Sequence, residues 1–430
     1  MGLCQNEEKR VCIIGLDGVP FDLLFKFTVS GVMPGMRKLV EKGHLYRMKA
    51  SLPEVSSVSW TSFMTGTNPG SHGIFGFTDF RQRSYQIRFP NFLDVKAPTL
   101  FDQLGDMGLR SIVINQPSTY PARKIEGALV SGFVAVDLAK AVYPPSHLAA
   151  FQEMAYQIDV DTLKVRHDID FLWKELDSTL EARRRAFRYF WDQEWNLFEL
   201  VVTGTDRLHH YLWNAHGNPE HPAHSRFIEY YQKIDSLIVQ IANEFEKLTG
   251  GIQGLFLLSD HGFTGTVQEI YLNRWLEEAK YLKFDTSPPQ QLADIAPGTR
   301  VFALDPNRIY LNLKGKFPRG VVDKGDAQLL KEEIASALRG LEYQGQKVVR
   351  EVFDTEEIYS GPHVRKGPDL IVLANRGFDM KASIQKQAIF GMSDLEGMHT
   401  WDDAFLWTPN ECKADPVISD VMTMLMEHFE

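Results

Sequence analysis

Short apolar runs alternate with amphipathic stretches along most of the chain. Residues 11–16, VCIIGL, are a continuous apolar run of strand length, the pattern of a buried parallel strand. PFDLLFKFTVSG then reads as a helix, with Pro20 near its first turn and Gly31 past its end. LYRMKAS (45–51) reads as a strand, SVSWTSFMTG as a helix, and TLFDQLGDMG with RSIVINQP as a helix-then-strand unit. Residues 144–196 read as helical. LFELVVTG is the next strand, followed by the long amphipathic helix RFIEYYQKIDSLIVQIANEFEKL. GLFLLSDHG is a strand and VQEIYLNRWLEEAKYL reads as a helix. TRVFALDP and RIYLNLKG resemble a hairpin. AQLLKEEIASALRGL is helical, DLIVLAN a strand, and VISDVMTMLMEHF a closing helix. This alternation predicts an α/β sandwich with a mainly parallel central sheet flanked by helices. One domain over 10–430 is expected, with a helical insertion at 144–196 and a small cap or insertion at 284–350.

Composition narrows the picture. The chain has 430 residues, and its net charge of −10 argues against general nucleic-acid binding. It leaves room for an anionic substrate, because bound cations can reverse the local field. The three cysteines, Cys4, Cys12 and Cys412, have no C-x-x-C spacing, so neither a disulfide framework nor a cysteine zinc site is expected. MGLCQNEEKR lacks the apolar core of a signal peptide, and Asn6 stands where an acylation motif needs Ser or Thr. No apolar run reaches the ~18 residues of a membrane span. A cytoplasmic protein with no membrane span is the expectation, and the sequence does not specify its oligomeric state.

The chemistry concentrates where apolar runs end. The first strand ends at Asp17, the strand 198–203 leads to Asp206, and 254–259 ends in Asp260-His261. Open α/β sheets place ligands at the carboxyl ends of their strands. Carboxylates gathered there repel and raise one another's pKa unless cations intervene. Asp and His together suit zinc or manganese better than calcium. Asp206 and His210 are four residues apart and share a helix face. His209 points about 100° away, to support a ligand or face substrate. Each residue alone also has an ordinary reading: a turn residue for Asp17, a helix cap for Asp206, a polar loop for Asp260-His261. Ser56 stands just ahead of a helix, where it is either an N-cap or a hydroxyl activated by a metal. No G-x-S-x-G elbow, P-loop or G-x-G-x-x-G fingerprint is present.

With these residues in place, the chain resembles the alkaline phosphatase superfamily. It is most similar to the type I phosphodiesterase/nucleotide pyrophosphatase branch and its phosphohydrolase and phosphomutase relatives. The resemblance runs from VCIIGLDG through PEVSSVSWTSFMTGTNPGSHG, D-x-x-x-H and D-H-G to EGMHTWDDAFLW. It implies an alkaline phosphatase-like fold with two divalent metal ions, zinc first and manganese second. Asp206, His210 and His399 would hold one; Asp17, Ser56, Asp260 and His261 would hold the other. It also implies a phosphodiesterase acting on a small phosphate ester through a covalent phosphoserine on Ser56, with Ser57 and Ser59 contacting phosphoryl oxygens. A phosphomutase and a non-catalytic metal-binding relative are the alternatives. A sulfatase is disfavoured, because SSVSW lacks the C/S-x-P-x-R pattern. Ser59 replaces a family Asn, and Gly204-Thr205 replaces Glu-Pro; these departures bear on a nucleotide substrate rather than on the metals. His72 matches a family position and reads as structural. His44, His147, His167, His216, His221, His224, His363 and His428 fit no motif.

Overall fold

The computed structural model describes residues 9–429, so Cys4, Asn6 and the rest of the first eight residues lie outside the described residues. Among the described residues, eight strands form the central sheet. In spatial order they are His44–Met48, Ala404–Thr408, Leu255–Leu258, Val11–Leu16, Leu197–Val202, Ser111–Gln116, Gly127–Ser131 and Val142–Tyr143. The strands from Leu255–Leu258 to Gly127–Ser131 run parallel. Ala404–Thr408 and Val142–Tyr143 run antiparallel to their inner neighbours. Every residue of Val11–Leu16, Ser111–Gln116 and Leu197–Val202 is buried, as expected of central strands covered on both faces.

Side chains alternate between two cores. Cys12, Ile14, Leu16, Leu200 and Val202 pack under the helices Phe21–Ser30, Asp170–Trp191 and His224–Thr249. Val11, Ile13, Val113, Leu197 and Val201 pack under Ser56–Thr65, Leu100–Asp106 and Asp420–Phe429. Residues 144–196 supply the helices Leu148–Glu153, Thr162–His167 and Asp170–Trp191. A separate core, which includes Ile270, Tyr310 and Ala382, underlies a four-stranded antiparallel sheet. Its first two strands, Val301–Leu304 and Arg308–Leu311, are the predicted hairpin, with Val301 opposite Leu311. Among the described residues, no helix is long and apolar enough to cross a membrane.

Two expectations need correction. VQEIYLNRWLEEAKYL is not one helix: Gln268–Tyr271 is a strand and only Leu272–Glu278 is helical. Its apolar spacing fits a helix, but Gln268–Tyr271 pairs with Phe378–Lys381 on one side and Phe390–Gly391 on the other. Pairing with distant segments overrides local periodicity here. The strand expected over 45–51 runs instead from His44 to Met48.

Glu199 is a fully buried acid in the middle of the sheet. Burial pushes its carboxyl up from the ordinary 4.5 to about 8, so it is neutral at pH 7. Its oxygens lie 2.6 and 3.1 Å from one end of the Gln116 amide. A protonated Glu199 donates to that amide's oxygen, whereas an ionised one needs its nitrogen. Because the folded pKa lies above the unfolded one, the associated stability is complete below about pH 4.5 and is lost as pH rises through about 8. Glu199→Gln should therefore melt increasingly above wild type between pH 5 and 9, by a few kcal/mol at most. Parallel pH profiles of melting temperature would show that Glu199 does not titrate in this range.

Candidate active site

Three carboxyl-end segments of the sheet converge on one point. Asp17 follows the strand Val11–Leu16, and the positive φ of Gly18 (66°) turns the chain immediately after it. Gly18 N–H donates to Asp260 Oδ1 at 3.0 Å, and Thr205 Oγ donates to the Asp17 carbonyl at 2.6 Å. Trp60 Nε1–H donates to Asp17 Oδ2 at 3.0 Å. These bonds tie three strand ends to the helix that carries Ser56.

Ser56 is the first residue of Ser56–Thr65, with Val55 at the cap position. It is therefore inside the helix and is not the N-cap. Its Oγ lies 3.2 Å from Asp17 Oδ1 and 3.2 Å from His261 Nε2. The N–H groups of Val58 and Ser59 reach the Val55 carbonyl, whereas the first-turn N–H of Ser57 has no acceptor within the helix. The hydroxyls of Ser57 and Ser59 are buried and have no hydrogen-bond partner among the described residues.

Asp206 is the third residue of the helix Gly204–Leu212, whose cap position is Thr203, so it too is not an N-cap. Its Oδ1 lies 3.4 Å from His210 Nε2 and 3.2 Å from His399 Nε2. Its other oxygen accepts from Arg207 at 2.8 Å, and the same guanidinium holds Asp159 at 2.7 Å. His399 arrives on Gly397–Thr400, which pairs antiparallel with Gly262–Gly265 directly after Asp260-His261.

The three histidines share one orientation. Nδ1–H of His261 donates to the Gly262 carbonyl (3.0 Å), that of His210 to Gly397 (3.0 Å) and that of His399 to Glu54 (2.9 Å). Each bond fixes the tautomer and turns an Nε2 lone pair inward. His210 Nε2 and His399 Nε2 lie 3.1 Å apart. Two lone pairs facing at that distance call for a cation or a proton between them. Asp260 Oδ2, fully buried, has no hydrogen-bond partner among the described residues. Burial and the charges of Asp260 and Asp206 push Asp17 well above the usual carboxylate range, and burial pushes Asp260 up to about 7. Burial would raise Asp206 as well, but His210, His399 and Arg207 outweigh it and hold Asp206 well below that range. The residues thus fit two cations. Asp206, His210 and His399 form one potential ligand set and Asp17, Asp260 and His261 the other, with the ligand atoms of each within 4.8 Å of one another.

A match to the family model described as "Type I phosphodiesterase / nucleotide pyrophosphatase" spans residues 11–402, nearly the whole described chain. The chain belongs to the type I phosphodiesterase/nucleotide pyrophosphatase family. Among solved structures, phosphonoacetate hydrolase from Sinorhizobium meliloti, in complex with phosphonoacetate, is 14% identical with a TM-score of 0.66. That match covers 99% of this chain and 96% of the other. Murine ectonucleotide pyrophosphatase/phosphodiesterase 5, an inactive variant in complex with AMP, is 14% identical with a TM-score of 0.57, covering 98% and 95%. The human counterpart gives 15% and 0.56, covering 97% and 94%. At these identities the likeness establishes the alkaline phosphatase-like fold. No curated protein sequence matches the chain.

Within this phosphodiesterase-family site some residues take roles that their spacing did not reveal. His209 faces no open space: it bonds the Gly18 carbonyl at 2.9 Å and Tyr231 Oη at 2.7 Å, supporting the turn after Asp17. His72 is buried, accepting from Ile74 N–H and bonding Ser62 Oγ at 3.0 Å. Arg207, Trp60 and Glu54 belong to no motif of the sequence. The signals were local: Arg207 follows Asp206, and Trp60 lies one helical turn beyond Ser56.

Proposed function

We propose that this chain is a two-metal phosphodiesterase acting through a covalent phosphoserine on Ser56. The observation that carries this reading is the position of Ser56 Oγ, 3.2 Å from both Asp17 and His261 of one ligand set. The second set, Asp206, His210 and His399, stands beside it. Asp17, Asp260 and His261 would hold one ion with Ser56, and the other three residues would hold the second. Zinc or manganese bound there supplies positive charge to the attacking and leaving oxygens of an in-line displacement. Ser56 donates its hydroxyl proton toward Asp17 Oδ1, which leaves a lone pair for phosphorus. The free Ser57 N–H, at the positive end of a helix, binds a non-bridging oxygen, and Ser59 is the further hydroxyl donor on that helix. The Oγ–P bond forms as the P–O bond to the departing alcohol breaks and the alcohol takes up a proton. Water then cleaves the phosphoserine, so that diester and water become alcohol and monoester.

The test is a paired assay with zinc or manganese added, comparing a chromogenic phosphodiester with its matching monoester. We expect the diester to turn over at least about tenfold faster, with activity lost on chelation and restored by metal. A monoester preference would overturn the diester assignment. Silence on both, with two ions still bound per chain, would favour a phosphomutase.

A further inference from the structure

Each aspartate of the two ligand sets has one oxygen tied back to the protein. Asp17 Oδ2 accepts from Trp60 at 3.0 Å, Asp260 Oδ1 from the Gly18 N–H at 3.0 Å, and Asp206 Oδ2 from Arg207 at 2.8 Å. Trp60 and the Gly18 amide are neutral donors. The guanidinium on Asp206 is charged, and charge-assisted bonds are roughly twice as strong as neutral ones. Arg207 is in turn gripped from two sides. Its Nε and Nη2 both donate to Asp159 Oδ2, at 3.1 and 2.7 Å, and its guanidinium lies over the Phe133 ring, 4.3 Å from the centroid.

The anchor belongs to the helical stretch 144–196. Asp159 lies on the loop before the helix Thr162–His167, and its Oδ1 accepts from Thr203 Oγ at 3.1 Å. Thr203 caps the helix Gly204–Leu212 that carries Asp206 and His210. The long helix Asp170–Trp191 clamps this loop from behind. Arg183 donates to the Gln157 carbonyl at 2.6 Å and to that of Ile158, and Glu175 accepts from the Asp161 N–H at 3.0 Å. The side chains of Arg207 and Asp159 are only 12% and 13% exposed, so solvent screens the pair little. One guanidinium shared by two carboxylates leaves the trio at −1. Its contribution to Asp206 is therefore orientation rather than neutralisation, and a cation is still called for.

That orientation matters for the number of ligand atoms. Asp206 Oδ1, His210 Nε2 and His399 Nε2 are separated by 3.1, 3.2 and 3.4 Å. Donors set tetrahedrally around zinc at their usual bond lengths stand about 3.3 Å apart. The three atoms thus match one face of a tetrahedron, with the fourth corner free. Turning Asp206 Oδ2 inward would fill that corner. We propose that Arg207, anchored by Asp159, is a positioning residue: by occupying Oδ2 it makes Asp206 a one-oxygen ligand and keeps the fourth position open for a substrate oxygen. The proposal rests on the two-metal reading above.

The test loads the full chain with cobalt(II), whose visible bands weaken as its coordination number rises. Arg207→Met removes the donor. Because it also strands a buried carboxylate, Arg207→Met is made alone and together with Asp159→Asn, which removes both charges. We expect both variants to bind two cobalt ions per chain, as wild type does. One ion of the two changes, so the summed band intensity should fall by about a quarter. Turnover of a chromogenic diester should fall about 10- to 100-fold in kcat, with KM changed by less than about threefold. Arg207→Lys, which still offers Oδ2 a charged donor, should restore the bands and most of kcat. Unchanged bands at full occupancy in the double variant would overturn the proposal, whatever happens to turnover. So would bands that weaken but are not restored by Arg207→Lys. A wild type that shows these band changes without diester turnover would support the proposal and remove the phosphodiesterase reading instead. Failure of wild type to bind two cobalt ions would overturn both.

Discussion

Ser56→Ala should reduce phosphodiester turnover by roughly 10³-fold or more while leaving the fold and both ligand sets in place. The substitution removes one hydroxyl from the first turn of a buried helix and leaves no side chain unable to fit. Asp17 keeps its bond from Trp60, and His261 keeps its bond to the Gly262 carbonyl. Metal content by elemental analysis should therefore match wild type. Acid-quenched reactions should trap a phosphoserine in wild type and none in the variant. A normal yield of phosphoenzyme from Ser56→Ala would move the nucleophile to another residue, and Ser57 would be examined next.

Asp260→Asn should lower metal occupancy and cut turnover by more than about 100-fold, with the fold intact. The substitution is nearly isosteric. An Asn at this position still accepts the Gly18 N–H that Asp260 Oδ1 now accepts, so the turn after the first strand is preserved. The loss falls on Oδ2, the buried oxygen with no hydrogen-bond partner among the described residues, and on a charge packed against Asp17 and Asp206. Stability should change in opposite directions with and without metal. Without cations, removing one of three crowded carboxylates relieves repulsion, and the variant should melt above wild type. With zinc or manganese in excess, wild type gains the free energy of binding and should melt above the variant. The same ordering under both conditions would show that Asp260 is not a metal ligand, and undiminished turnover would remove the two-metal scheme.

The strand ends were legible because their physics is local. A parallel strand buried on both faces is nearly all apolar, so VCIIGL, LFLL and LFELVV, whose one acid is Glu199, stand out, and the polar residues that follow them are the ones that reach the sheet edge. Asp206 and His210 were legible because a helix repeats its face every four residues. Other features depended on contacts that no short window contains. Gln268–Tyr271 has helix-like spacing and became a strand through partners more than a hundred residues away. Ser56 and Asp206 could each have been a helix cap from the sequence; the backbone places the caps one and three residues earlier.

The pairing of Gly262–Gly265 with Gly397–Thr400 has a consequence for how the protein is made. One ligand set, Asp17, Asp260 and His261, is complete once the ribosome has passed residue 261. The other waits for His399, and everything between belongs largely to the second core. That core is looped out between the two strands of one short ribbon. The second half of the centre cannot be complete before residue 399 has been made. Order of synthesis thus keeps a half-built chain from carrying both ligand sets.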